Sequence, residues 1–290
     1  MQFNFYTFKK VEEKIALVIL SGITFFILFV LGALIYFLFK NGIHVFSVEF
    51  FTQFPRAGMT EGGIFPAMVG TCYLTLGAIV VSMPLGILTA IYLEEYARPG
   101  WWLNLTYLAI NNLAGVPSIV FGLFGLALFV KYFEFQTSIL SGALTLACLV
   151  LPIIIRASQE AISQVGQELR HGALALGTTR WYMIRTVVLP QAWPGILTGN
   201  IISVGRAAGE TAAILFTAVA YFYPKLPTSL LEPVMALPYH LYVIATSGLD
   251  LDKTRPLAYG TALVLILLVL MINAVATVVR ARHHLKMEKI

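Results

Sequence analysis

Apolar positions in this chain gather into long blocks rather than into stripes or alternations. Six blocks read as continuous spans: Ile15–Phe39, Ile64–Leu93, Trp102–Val130, Ser138–Ile155, Ile196–Tyr223 and Leu257–Val279. The first runs 25 residues without a charge, and about 20 apolar helical residues cross a bilayer core. Its apolar core is too long for a cleavable signal, and no small-residue cleavage pattern follows. Backbone groups in hydrocarbon must bond within their own segment, so the blocks predict helices. The expected fold is an all-α polytopic membrane protein with six transmembrane helices.

The polar and punctuating residues between and within the blocks add detail. Pro99-Gly100 marks a tight turn, and Trp101-Trp102 suits the aromatic belt of an interface. Gly115-Val116-Pro117 predicts a kink or break in the third span, and Asn111 and Asn112 are expected to bond between helices. The apolar run Leu230–Thr246 is broken by Pro233 and Pro238, which predicts a re-entrant or interfacial segment. Between spans four and five, Ala161, Ile162, Val165 and Leu169 fall on one helical face. Gly177-Thr178-Thr179 reads as a helix stop followed by a new start, and Leu189-Pro190 closes the stretch. This predicts two short helices joined at a glycine, lying flat under the membrane and shaped to dock into a partner.

Composition agrees: of 290 residues, 59% are hydrophobic and 11% charged, which excludes a soluble globular domain. With both termini on one side, that side holds Lys9, Lys10, Lys14, Arg98, Arg156, Arg170, Arg180, Arg185, Arg280, Arg282, Lys286 and Lys289. The other side has Lys40, Arg56, Lys131, Lys225, Lys253 and Arg255, half as many. The positive-inside rule therefore puts both termini and the 156–191 loop in the cytoplasm. The net charge of +5 records this asymmetry and needs no nucleic acid to explain it. The basic tail is expected against anionic lipid headgroups. Cys72 and Cys148 lie within spans and are expected to pack as small hydrophobes. No His or Cys spacing suggests a metal site.

The nineteenth cation, Arg206, lies inside the fifth block. A charge at mid-bilayer costs about 2.5–3.5 kcal/mol on insertion scales, so such residues default to functional-site hypotheses. Glu210 is four residues on, which on a continuous helix shares a face with the guanidinium and partly neutralises it. Gly205, Ala207, Ala208, Gly209 and Thr211 around the pair are small and leave room beside the arginine. One reading is a structural ion pair between helices; the sharper one is an anion path through Arg206, Glu210 and Thr211. On that reading Glu210 holds the guanidinium when the path is empty and keeps an anion from sticking.

Gly172-Ala-Leu-Ala-Leu-Gly177-Thr178-Thr imitates a phosphate-binding P-loop, but Thr178 stands where the lysine belongs and no strand precedes it. No other kinase, protease or dehydrogenase signature is present, so the chain has no visible means of hydrolysing ATP.

The same stretch resembles the Glu-Ala-Ala loop of bacterial ABC importer permeases. His171-Gly172-Ala173-Leu-Ala-Leu-Gly177, nine residues, then Val187-Val-Leu189-Pro190 keep that pattern's Ala173, glycine, leucine and proline in register. His171 and Gly172 stand where the family has Glu and Ala, which puts in doubt any salt bridge from that glutamate to the ATPase. Gly62-Gly-Ile-Phe-Pro-Ala-Met-Val-Gly-Thr71, Tyr92-Leu-Glu-Glu-Tyr-Ala97, Gly115-Val-Pro-Ser-Ile-Val-Phe-Gly-Leu-Phe-Gly125 and Arg206-Ala-Ala-Gly-Glu-Thr211 narrow the resemblance. Together they are similar to PstA-type permeases of bacterial Pst phosphate importers, from Gly62 to Arg282.

The resemblance implies a MetI-like (type I) ABC permease domain over 64–282, with a coupling loop at 156–191. Residues 1–63 then form an N-terminal tail, first helix and external loop, and 283–290 a basic tail. It implies a PstC-like sister permease, two copies of a PstB-like ATPase beneath and a PstS-like periplasmic phosphate-binding protein above. The chain itself would hold no cofactor or metal, ATP and Mg being used by the partner ATPase. The cargo would be inorganic phosphate, moved across the inner membrane of a bacterium. The alternatives are an ABC permease for another oxyanion (phosphonate, sulfate or molybdate), a secondary transporter or channel working alone, and a non-transporting scaffold.

Overall fold

The computed structural model describes residues 2–247 and 251–287. The side chains of 1–12, Lys253, Arg280, Arg282 and the basic tail 283–290 lie outside the described residues, and so does the expected contact of that tail with headgroups. Among the described residues, eleven α-helices follow in order: α1 Gln2–Gly42, α2 Val48–Thr52, α3 Phe65–Ile91, α4 Trp101–Ala114, α5 Ser118–Gly125, α6 Ile139–Ser163, α7 Gln167–Ala175, α8 Arg180–Met183, α9 Leu189–Gly209, α10 Leu237–Thr246 and α11 Leu251–Met287. Wider π-helical turns extend α3 over Tyr92–Tyr96 and α5 over Leu126–Tyr132, and another, Ile184–Val188, runs α8 into α9.

Among the described residues, five helices are long and apolar enough to cross a membrane: Glu13–Val45, Phe65–Tyr96, Ile139–Ser163, Arg180–Gly209 and Thr254–Val275. α4 and α5 with its extension pass the same test only together, bent by 102° at the break between them, and count as a sixth span if the bent pair is taken as one. Pro117 has no amide to donate and disfavours helix at Val116, so the chain turns at Gly115–Pro117 instead of merely bending.

Two sequence expectations are corrected. The fifth block does not continue to Tyr223; its helix stops at Gly209, and Glu210 is extended at φ −76°, ψ 129°. The loop 156–191 does not hold two flat helices, because α6 carries its helix on to Ser163 and α8 runs unbroken into α9. Only α7 stands apart. Pro190 does not close the stretch, since it falls in the first turn of α9 directly after the π-turn. Leu169 is exposed, unlike its predicted face-mates Ala161, Ile162 and Val165.

The core forms where α3 and α9 flank α6. Leu74, Ala78, Leu146, Val150 and Ile154 are buried together. Small residues set the spacing, as they do where helices must approach closely in lipid. A Cβ added at Gly199 of α9 would fall 2.0 Å from Ala157 Cβ of α6. By contrast, residues 13–37 of α1 are exposed throughout; that helix meets α11 where Phe37 and Tyr259 pack edge to face at 5.6 Å.

The stretch from Glu210 to Ala236 is irregular yet well bonded. Thr217, Glu232 and Leu230 carbonyls accept the amides of Ser138, Ile139 and Leu140 at 2.9–3.0 Å, satisfying the otherwise orphaned first turn of α6. Val234 N–H donates to the Ala218 carbonyl and Ala220 N–H to that of Val234, at 3.0 and 3.1 Å. Non-helical backbone is tolerated at membrane depth when protein covers it in this way. The apolar run after it folds as α10, whose Leu237 amide donates to Thr71 Oγ1 of α3 at 2.8 Å. His240 on α10 is buried, and desolvation pushes its pKa down to about 4, so it is neutral near pH 7.

Candidate functional site

Arg206 occupies the last turn of α9, where a cation meets the negative end of the helix dipole. Its neighbours Ala207 and Ala208 are buried, but Arg206 itself is exposed and bonded to nothing among the described residues. The expected pairing with Glu210 is not made. The helix ends between the two, and the Glu210 carboxylate turns forward to accept the amides of Ala212 at 3.1 Å and Ala213 at 3.5 Å. The four-residue spacing therefore loses its meaning at Gly209, and Glu210 instead caps the turn that follows. Thr211 is half-buried beside it.

The two chain breaks lie against each other. Gly122 of α5 packs on the segment after Glu210, so that a Cβ there would meet the Ala212 carbonyl at 2.8 Å. Phe121 shares a core cluster with Ala207, Ala213 and Ile214, and Val116 of the elbow packs against it. A narrow cavity lined by Thr71, Thr75, Ala207, Ala208 and Glu210 connects α3 to the same place. The elbow residues Asn111–Gly115 are exposed, as is Arg206. Asn111 bonds between helices as expected, to Arg156 of α6, whereas Asn112 is exposed and makes no side-chain bond among the described residues. Cys148 lines an apolar cavity of about 360 Å³ with Val116 and Phe121, while Cys72 is exposed rather than packed inside.

At the other end of the spans, α7 carries His171, Gly172 and Ala173. His171 and Gly172 are exposed, and Ala173 packs on the cluster of Ile162, Met183 and Val188. Gly177 closes α7 at φ +80°, the left-handed conformation glycine adopts without penalty, and its amide donates to Leu174 at 3.0 Å. Thr178 Oγ1 donates to the Ala173 carbonyl at 2.8 Å, and the Thr179 hydroxyl accepts the Tyr182 amide to start α8. Val187, Leu189 and Pro190 are half-buried where α8 becomes α9. His171 faces a groove of about 270 Å³ shared with Glu94, Glu95, Arg170 and Arg180.

Sequence reasoning missed the polar cluster behind this groove. Arg170 is buried and forms an ion pair with Glu95 at 3.0 Å, the side chains being 9% and 6% exposed. The same guanidinium donates to the carbonyls of Ile162, at 2.7 Å, and Val165. Arg180 donates to the Glu95 carbonyl at 2.9 Å and lies over the Tyr96 ring. One acidic motif, Tyr92-Leu-Glu-Glu-Tyr, thus receives cations from both α7 and α8. Leaving one partner of such a buried pair unmatched costs about 3–5 kcal/mol.

These features define a helical membrane protein with an unpaired arginine, among the described residues, at the break that ends α9, and a separate glycine-flanked helix, α7, at the other end of its spans. Residues 82–289 match the family described as binding-protein-dependent transport system inner membrane component, and this chain belongs to it. It is 35% identical to the phosphate transport system permease protein PstA of Yersinia pestis, over 94% of this chain and 92% of that one. It is 31% identical to the probable ABC transporter permease protein YqgI of Bacillus subtilis, over 92% and 95%. Among solved structures it resembles a chain of a bacterial ABC transporter that imports the acidic polysaccharide alginate, with TM-score 0.66, 15% identity, and coverage of 96% of this chain and 99% of that one. The inward-facing MetNI methionine transporter matches with TM-score 0.58 and 17% identity, over 76% and 94%. At these identities the likeness is one of fold, that of a MetI-like ABC permease.

Proposed function

We propose that this chain is the permease subunit of an ATP-driven importer of inorganic phosphate. It would pair with a sister permease, receive phosphate from a periplasmic binding protein and be driven by two copies of a separate ATPase. The permeases named for phosphate transport that it resembles over most of its length support the cargo. The observation that carries the path is Arg206, exposed and, among the described residues, unpaired at the break that ends the span-length helix Arg180–Gly209. An uncompensated charge at that depth calls for a partner, and a planar guanidinium suits phosphate oxygens bidentately. With Glu210 occupied by the Ala212 and Ala213 amides, the arginine is open to an anion. Thr211 sits next to it as a neutral hydroxyl partner.

The chain would hold no cofactor and hydrolyse nothing itself. Nucleotide and Mg would act on the ATPase, which docks on α7 through His171, Gly172 and Gly177. Both termini then lie in the cytoplasm with α7. The access change needs only two packing states biased by nucleotide. Phosphate uptake in cells carrying Arg206→Ala or Arg206→Lys tests this, with membrane levels of the protein measured alongside. Both variants should be strongly impaired, lysine because a point charge lacks the fork. Normal uptake in either would reduce Arg206 to a structural residue, and normal uptake of another oxyanion alone would change the cargo.

A further inference from the structure

α7 is hinged at both ends. Gly166 precedes it at ψ 137° and Gly177 follows it at φ +80°, and no atom lies within 4 Å of a Cβ built at either. The covalent links on their own therefore transmit little force. Besides the packing of Ala173, what ties α7 to the spans is Arg170, which reaches the Ile162 carbonyl in the last turn of α6, the Val165 carbonyl just beyond it, and the end of α3 through Glu95. Arg180 fixes the start of α8 to the same residue through its carbonyl.

We infer that Glu95 and Arg170 are the positioning pair through which the docking hairpin moves α3, so that α3 travels with the hairpin as one body; this rests on the reading of α7 as the ATPase-docking element. α3 is suited to carry the motion. From Thr71 to Glu95 it rises about 36 Å at 1.5 Å per residue. Its far end holds Leu237 through Thr71 and lines the narrow cavity with Ala207, Ala208 and Glu210. A displacement entering at Arg170 thus arrives beside the break that exposes Arg206. The ion pair is buried, so neither salt nor water competes strongly for it.

The test uses the assembled complex of this chain with its sister permease, ATPase and binding protein. Spin labels at Arg98→Cys, beyond the end of α3, and Glu168→Cys, on α7, are placed in a background lacking Cys72 and Cys148. The distance between them should be the same without nucleotide and with ATP bound. Glu95→Ala should broaden that distance and lose most of the solute moved per ATP hydrolysed, while Glu95→Gln, which keeps an acceptor for Arg170, recovers part of it. A distance that changes between nucleotide states in the unsubstituted complex overturns the inference. So does a Glu95→Ala complex that hydrolyses ATP and transports at the unsubstituted ratio. If Glu95→Ala does not assemble, Glu95→Gln and the distance in the unsubstituted complex decide. The distance needs no phosphate, so a wrong cargo would show as absent phosphate uptake by the unsubstituted complex and leave this arm intact.

Discussion

Gly177 allows a graded test of the docking hairpin. At φ +80° with open space around it, a side chain meets strain from the backbone and none from neighbours. Alanine in that conformation costs about 1–2 kcal/mol, which amounts to a roughly 5–30-fold shift away from the native turn. Asparagine visits the left-handed region more readily and should cost less, whereas valine, branched at Cβ, should cost more. The expected order of function is therefore Gly177, Gly177→Asn, Gly177→Ala, Gly177→Val. The measurement is ATP hydrolysis stimulated by loaded binding protein in proteoliposomes, normalised to the ATPase that co-purifies. Insertion should be unaffected, because the strained residue lies outside every span. Full stimulation in Gly177→Val would refute the role of the turn. Asparagine as damaging as valine would show that a partner pressed against the open face decides, and not φ.

Other substitutions probe packing and chemistry. Gly199→Val drives its side chain into Ala157 and should cost about 1–3 kcal/mol by overpacking, lowering the unfolding temperature in detergent; Ala157→Gly should restore part of it. Glu210→Gln retains an oxygen for the Ala212 and Ala213 amides, so uptake should stay nearer normal than in Glu210→Ala; equal loss in both would mean that the charge, not the cap, matters. His171→Glu should preserve transport-coupled ATP hydrolysis, since the family residue is restored, while His171→Asp is too short to reach the same partner. The reverse outcome would show that the register assigned to this loop is wrong.

The spans were legible because block length reports hydrocarbon thickness directly. Apart from the N-caps Ile64 and Ser138, the blocks Ile64–Leu93 and Ser138–Ile155 lie within α3 with its extension and α6 for that reason. The elbow at Gly115–Pro117 was legible too, its cause being local to one proline. The fifth block misled because apolar composition continues past Gly209 while helix does not. Buried irregular backbone is as apolar as a helix, provided its carbonyls find donors. Here the donors are the first amides of α6, far away in sequence. The stretch 156–191 misled in the opposite direction, since its helical spacing and glycine breaks suggested separate flat helices where α6 runs on to Ser163 and α8 runs into α9.

The site divides along the same line. Gly177 could be read from its neighbours, because a left-handed stop is a local event. The Arg206–Glu210 pairing could not, because i to i+4 geometry holds only while the helix does, and Glu210 found nearer donors in the next turn. Least legible was Glu95 with Arg170, which the positive-inside count recorded as one more cytoplasmic cation. Charge counting treats such residues as solvated, yet the fold takes this one out of water and gives it three acceptors. An arginine that cannot remain in water must commit its donors to fixed partners. That commitment turns a hinged, glycine-flanked helix into a part able to transmit force.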